Sequence, residues 1–173
     1  QLMAKHPGLV LILAPRRIER VNEVAALLQR QNISFVRQSL LEHTEPASVI
    51  LLDTMGELTR VYSLGQIAFV GRSLVKPGGG HSLIEPLNHG LAVLHGPFVE
   101  NIRHVSETAG NQGLTFRVNN AKELEQKVHG LLKNTAQQVE IAERAMTFLA
   151  RQQGTSKKLA NIAIKLLNMP GAV

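Results

Sequence analysis

Short apolar runs recur along this chain, and between them stand longer segments of helical period. Val10–Ala14 (VLILA) stops at Pro15, and further runs read as strands over 33–36, 49–52, 67–70, 92–94 and 114–118. A continuous run of four or five apolar residues suits a strand buried on both faces, as in a parallel sheet. Ile18, Val21, Ala25 and Leu28, with Val24 and Leu27 alongside, are spaced for one face of a helix. Helices are also predicted over 56–64, 83–89 and 100–109, and after Asn119-Asn120, where Leu124, Val128, Leu131 and Leu132 mark the apolar face. Two more follow, over 135–152 and about 154–168. Strands that alternate with helices at this spacing specify an α/β fold with a parallel sheet flanked by helices. No repeat or low-complexity linker interrupts it, so one domain over residues 1–173 is expected.

Composition removes several function classes. The chain has 173 residues and no cysteine, which excludes disulfide frameworks, thiolate metal sites and cysteine nucleophiles. Aromatic residues make up 3%, too few for the stacking platforms of single-stranded nucleic acid binders. A formal net charge of +6 calls for anionic partners: phosphate esters, nucleic acid or an acidic membrane surface. No apolar run approaches the roughly 20 residues of a membrane span. The opening Gln-Leu-Met-Ala-Lys-His-Pro reads as the end of a helix without an initiator Met, so a fragment of a longer protein is expected.

Ligands of such sheets sit where strand ends turn into helix starts. The most informative stretch there is Lys76-Pro-Gly-Gly-Gly-His-Ser-Leu-Ile-Glu-Pro86. Its glycines allow close backbone approach and are expected to offer unpaired N–H groups, and the following helix start favours phosphate. Ser82 and Glu85 have the spacing of a capping box, and Thr54 and Glu57 repeat it after another strand. Arg16 and Arg17 follow the first strand directly, placed to meet phosphate or carboxylate. The seven histidines show no metal-binding spacing, and neither a Walker A loop, a G-x-G-x-x-G fingerprint nor a G-x-S-x-G elbow occurs. No metal site and no cofactor are expected.

These blocks in succession, LILAPR (11–16), DTMGEL (53–58), FVGRSL (69–74), GGHSLIEP (79–86) and VLHGP (93–97), resemble the carboxyl-terminal half of the Kdo transferases. That family of bacterial glycosyltransferases moves 3-deoxy-D-manno-octulosonic acid (Kdo) from CMP-Kdo onto a lipid A precursor in lipopolysaccharide biosynthesis. The resemblance implies a Rossmann-like, donor-binding half of a GT-B enzyme, inverting, and working at the cytoplasmic face of the inner membrane. Its expected partners are CMP-Kdo, the lipid A precursor, the anionic membrane surface and an amino-terminal domain of the same protein, with no nucleic acid. Carried over by position, Pro15, Arg16 and Arg17 line the donor site. Met55, Gly56 and Glu57 lie near the nucleotide, Gly79, Gly80 and Ser82 at the phosphate, and Glu85 on the ribose hydroxyls. Arg17 replaces the family's usual His, and Ser82 its usual Asn. The general base is expected in the amino-terminal half, so no catalytic residue is assigned here and these 173 residues are expected to be inactive alone. The alternatives are a UDP-sugar-dependent GT-B transferase or epimerase domain, and a non-catalytic α/β binding module.

Overall fold

The computed structural model describes residues 2–43 and 47–167, and the chain divides into two compact units, Gln1–Leu64 and Gly65–Val173. Each holds its own three-stranded, wholly parallel sheet. The α/β class read from the alternating pattern is therefore the observed one, with the strands distributed over two sheets.

In the first unit, a short helix α1 (Leu2–Lys5) precedes β1 (Leu11–Leu13), α2 (Val21–Arg30), β2 (Val36–Arg37), β3 (Val49–Leu51) and α3 (Leu58–Leu64). Strand β3 lies between β1 and β2, with Leu11 opposite Val49 and Leu13 opposite Leu51. Val49 and Leu51 are fully buried, but Leu11 on the edge strand is 42% exposed. The expectation that the first run is buried on both faces fails: Leu11 is exposed, and Ile12 and Leu13 are only half-buried. Helix α2 turns Val21, Ala25 and Leu28 inward, at i, i+4 and i+7, while Leu27 faces out; Ile18, expected on the same face, stands exposed in a 3₁₀ turn before the helix. It ends where Asn32 takes φ +53, a left-handed position that asparagine tolerates.

In the second unit, β4 (Ile67–Val70), α4 (Ile84–Asn88), β5 (Ala92–His95), α5 (Arg103–Gly110), β6 (Thr115–Arg117), α6 (Ala121–Lys133) and α7 (Thr135–Leu167) follow in order. Strand β5 lies between β4 and β6 and all four of its residues are buried. Leu83 and Leu87 from the α4 segment, Ala109 from α5, Leu131 from α6, and Ile141, Ala145, Phe148 and Leu149 from α7 close over it in one core. Two helices were expected at the carboxyl end, and one continuous α7 is found. Gly154 is the break signal between them, and a lone glycine costs a helix only about 1 kcal/mol. The side chains of Leu159, Ile162, Ala163, Leu166 and Leu167, read as an apolar stripe, lie outside the described residues. Among the described residues no helix is long and apolar enough to cross a membrane.

Candidate functional site

Because β1 and β3 are parallel neighbours, the loops after them leave the same end of the first sheet. Pro15, Arg16 and Arg17 follow β1, and Met55, Gly56 and Glu57 follow β3, so these candidates lie at the same, carboxyl end of the sheet. Arg16 and Arg17 are exposed, and among the described residues neither guanidinium is paired. Arg17 stands in extended backbone just before a 3₁₀ turn over Ile18–Arg20 that leads into α2. Met55 is 83% exposed, and Gly56 adopts φ +83 at the tip of its turn.

The capping box expected of Thr54 and Glu57 does not form. The Thr54 hydroxyl donates to Gln38 Oε1 at 2.9 Å, and the Glu57 carboxylate instead faces Arg60 at 3.5 Å. Glu57 begins the helix through its backbone carbonyl, which accepts from Val61 N–H at 3.0 Å. Nearby, Asp53 Oδ1 and Oδ2 accept from the Ser39 N–H and hydroxyl at 3.0 and 2.7 Å. Partial burial raises the Asp53 pKa, but these bonds outweigh it and hold the carboxyl below its ordinary value.

In the second unit, Gly79, Gly80, Ser82 and Glu85 follow β4. Their loop packs on the turn after β5. A side chain at Gly78 would strike Phe98 Cβ at 2.2 Å, and one at Gly80, which takes φ +71, would meet Ile102 Cδ1 at 2.6 Å. The Gly79 and Gly80 N–H groups donate to the carbonyls of Phe98 and Arg72, each at 3.0 Å. This corrects the expectation that they stand unpaired: close packing of two loops, together with positive φ, is what requires glycine there. Ser82 Oγ accepts from Glu85 N–H at a long 3.4 Å, while Leu83 occupies the cap position itself. Among the described residues nothing pairs with the Glu85 carboxylate, which is exposed. Half of the expected box is thus present and the carboxylate is left over.

A buried polar strut fixes the two loops. The Ser73 hydroxyl donates to Val70 O at 2.6 Å and accepts from Gly96 N–H at 2.8 Å. His95 Nδ1 lies 2.8 Å from the Gly96 carbonyl, which can only accept, so Nδ1 carries the proton and Nε2 accepts from the Ser106 hydroxyl at 2.9 Å. Burial pushes the His95 pKa down, and the Arg117 charge adds to this against the opposing bond to Gly96 O. Sequence reasoning passed over His95, Ser106, Asn101 and Phe98. The polar residues inside an otherwise apolar strand-and-helix pattern were the available signal. Among the described residues no group of His, Asp and Glu could hold a metal.

Parallel strands that alternate with helices, with cations, a glycine-rich turn and an exposed carboxylate at the strand ends, define a parallel α/β protein with its candidate binding loops at those ends. Consistent with this, the structure overlays at TM-score 0.78 on the carboxyl-terminal CMP-Kdo binding domain of WaaA from Acinetobacter baumannii, at 28% identity, covering 85% of this chain and 77% of that one. The chain is 38% identical over 167 residues to the 3-deoxy-D-manno-octulosonic acid transferase of Haemophilus influenzae, covering 93% of this chain and 38% of the relative. It is 32% identical over 146 residues to the enzyme of that name from Aquifex aeolicus, covering 84% of this chain and 39% of the relative. No family model matches the chain. The chain is a homologue of the Kdo transferases, and it spans about two fifths of the length of these relatives.

Proposed function

We propose that this chain is the donor-binding part of an inverting Kdo transferase: it holds CMP-Kdo while Kdo passes to a lipid A precursor in lipopolysaccharide biosynthesis. The observation that carries the reading is the overlay on a CMP-Kdo binding domain, at 28% identity over most of both chains. In this reading Arg16 and Arg17, with Pro15, meet the anionic donor, and Met55, Gly56 and Glu57 lie along the nucleotide. Gly79, Gly80 and Ser82 shape the phosphate side. Glu85, whose carboxylate is paired with nothing among the described residues, accepts from the ribose hydroxyls. As CMP leaves, negative charge grows on the phosphate, and fixed cations stabilise that state more than the ground state.

The reaction needs no cofactor, since the activated group is the bond linking CMP to Kdo. The general base belongs to an amino-terminal domain of the same protein, which faces the acceptor. With a net charge of +6, the chain suits an anionic membrane surface, and we place the reaction at the cytoplasmic face of the inner membrane. Calorimetric titration with CMP, UDP and ADP tests the reading. CMP is expected to bind at least about ten-fold more tightly than the other two, a difference of about 1.4 kcal/mol. Preference for UDP would replace it with a UDP-sugar enzyme, and salt-sensitive binding to DNA without nucleotide binding would replace it with a non-catalytic module.

A further inference from the structure

Between the glycine-rich loop and the turn after β5 lies an open groove of about 540 Å³, lined by Arg72, Lys76, Gly78, Gly79, Glu100 and Asn101. That volume is in the range of small-molecule sites. Two cations line it, Arg72 and Lys76, both exposed and neither ion-paired among the described residues. The Lys76 ammonium stands 5.3 Å from the centre of the Phe98 ring, which favours the cation at that edge of the loop.

Arg72 has a second peculiarity. Its backbone takes φ +57, a left-handed conformation that a long side chain rarely adopts and that glycine would adopt without strain. The surrounding bonds enforce it: the Arg72 carbonyl accepts from Gly80 N–H at 3.0 Å, and the next residue, Ser73, is held to Val70, Gly96 and Phe98. Backbone strain of this kind is found where a side chain has a task. Glu100 adds an acceptor to the groove, and Asn101, whose amide lies against Gly79, adds a donor and an acceptor. A bare phosphate, which only accepts, would leave the acceptors of Glu100 and Asn101 without donors. A sugar acid presents one carboxylate and several hydroxyls, and the groove offers a counterpart to each.

We propose that Arg72 and Lys76 form the subsite for the sugar carboxylate of the donor, with Glu100 and Asn101 bonding its hydroxyls. This rests on the reading that the chain binds CMP-Kdo, and it adds what distinguishes the sugar from the nucleotide. The guanidinium fork matches a carboxylate in two parallel hydrogen bonds, and Lys76, in the lining of the same groove, adds a second positive charge.

The test is titration of the chain and of Arg72→Gly, Arg72→Gln and Lys76→Gln with CMP-Kdo and, separately, with CMP. The wild type is expected to bind CMP-Kdo more tightly than CMP. Each variant is expected to lose about ten-fold or more in CMP-Kdo affinity while CMP affinity holds. Arg72→Gly relieves the backbone and is expected to melt close to the wild type, which separates lost binding from lost folding. If it unfolds, Arg72→Gln, which keeps the backbone requirement unchanged, decides the matter. The proposal is overturned if the two ligands weaken together, if neither weakens, or if the wild type shows no preference for CMP-Kdo. A wild type that binds neither ligand overturns the donor-binding reading, and this proposal with it.

Discussion

The sheet of β1, β2 and β3 and the sheet of β4, β5 and β6 share strand number and direction, but they bury their strands to different degrees. In the first, the core joins Val21, Ala25 and Leu51, with Leu13, Val24 and Phe35 packed at its margin, and the edge strand leaves Leu11 half-exposed. In the second, side chains from four helices close over a central strand that has no exposed residue. The difference separates two kinds of loop. Those of the second unit are braced from below by the Ser73–Gly96–His95–Ser106 strut, and they shape a groove. Those of the first carry an exposed methionine and arginines that are unpaired among the described residues, on a thinner support.

The largest effect that would sharpen this contrast is a paired truncation. Leu94 is fully buried in the second core, and Leu94→Ala should lower unfolding free energy by about 3–5 kcal/mol through lost burial and a residual cavity. Leu11→Ala, on the edge strand, should cost under about 1 kcal/mol, because much of the side chain already meets water. Urea unfolding of both variants measures the pair. Equal losses would mean that the two sheets are equally supported.

Next in size is a change that should leave both cores alone. Glu85→Gln keeps a residue that serves at a helix start, so the melting curve should stay in place. CMP affinity should fall by about ten- to hundred-fold, or about 1.5–3 kcal/mol, because a carboxylate that accepts two ribose hydroxyls makes charge-assisted bonds. Calorimetry on the chain reads both ligand and fold. Undiminished CMP binding would leave Glu85 no nucleotide role and reduce it to a remnant of its half-formed cap.

The parallel α/β class was legible because apolar runs this short, bounded by turn residues and separated by helical periods, suit strands buried in a parallel sheet. Burial within the class was not legible. VLILA and LAVLHG look alike as strings, yet one became an edge strand and the other a centre, since neighbours in space decide that and sequence period does not. The candidate loops were found correctly as strand ends, but the physical reason for the glycines was misread. Their N–H groups close onto Phe98 and Arg72, residues 19 and 8 positions from their partners, and no local pattern reveals such a pairing. Arg72 escaped notice for a similar cause, because a positive φ at a non-glycine residue leaves no mark in composition.

Acid should separate the two units as well. In the second, the folded His95 pKa lies below its ordinary 6.5, because the neutral ring is buried. As pH falls through about 6.5 the unfolded chain takes up this proton before the folded one, so stability declines from there down to the lowered folded value and then levels. One such proton gives at most about 1.4 kcal/mol per pH unit. In the first, the Asp53 pKa lies below 3.8, so its contribution is present above that value and is lost only as pH falls through the lowered one. Stability measured from pH 8 to 3 should therefore show a His95 slope first, and His95→Asn should flatten it. A profile flat down to pH 4 in the wild type would remove His95 from the account.

The smallest effects lie at the helix starts, which grade the two units once more. The strongest cap belongs to α6: Asn120 Oδ1 accepts from Glu123 N–H at 2.9 Å, and the Glu123 carboxylate returns a bond to Asn119 N–H at 2.9 Å. Asn120→Ala should therefore cost about 1 kcal/mol. Thr54→Ala removes no cap and should cost only its bond to Gln38, at the low end of about 0.5–1.5 kcal/mol. Ser82→Asn should move stability least, because Asn caps about as well as Ser and the present bond is already long at 3.4 Å. The substitution supplies an amide donor that serine lacks, placed to reach a phosphate oxygen or the sugar in the proposed donor site. CMP-Kdo affinity should hold or rise while the melting temperature stays within error. A clear loss of affinity with an unchanged melting curve would overturn the idea that an amide at position 82 helps to hold the donor.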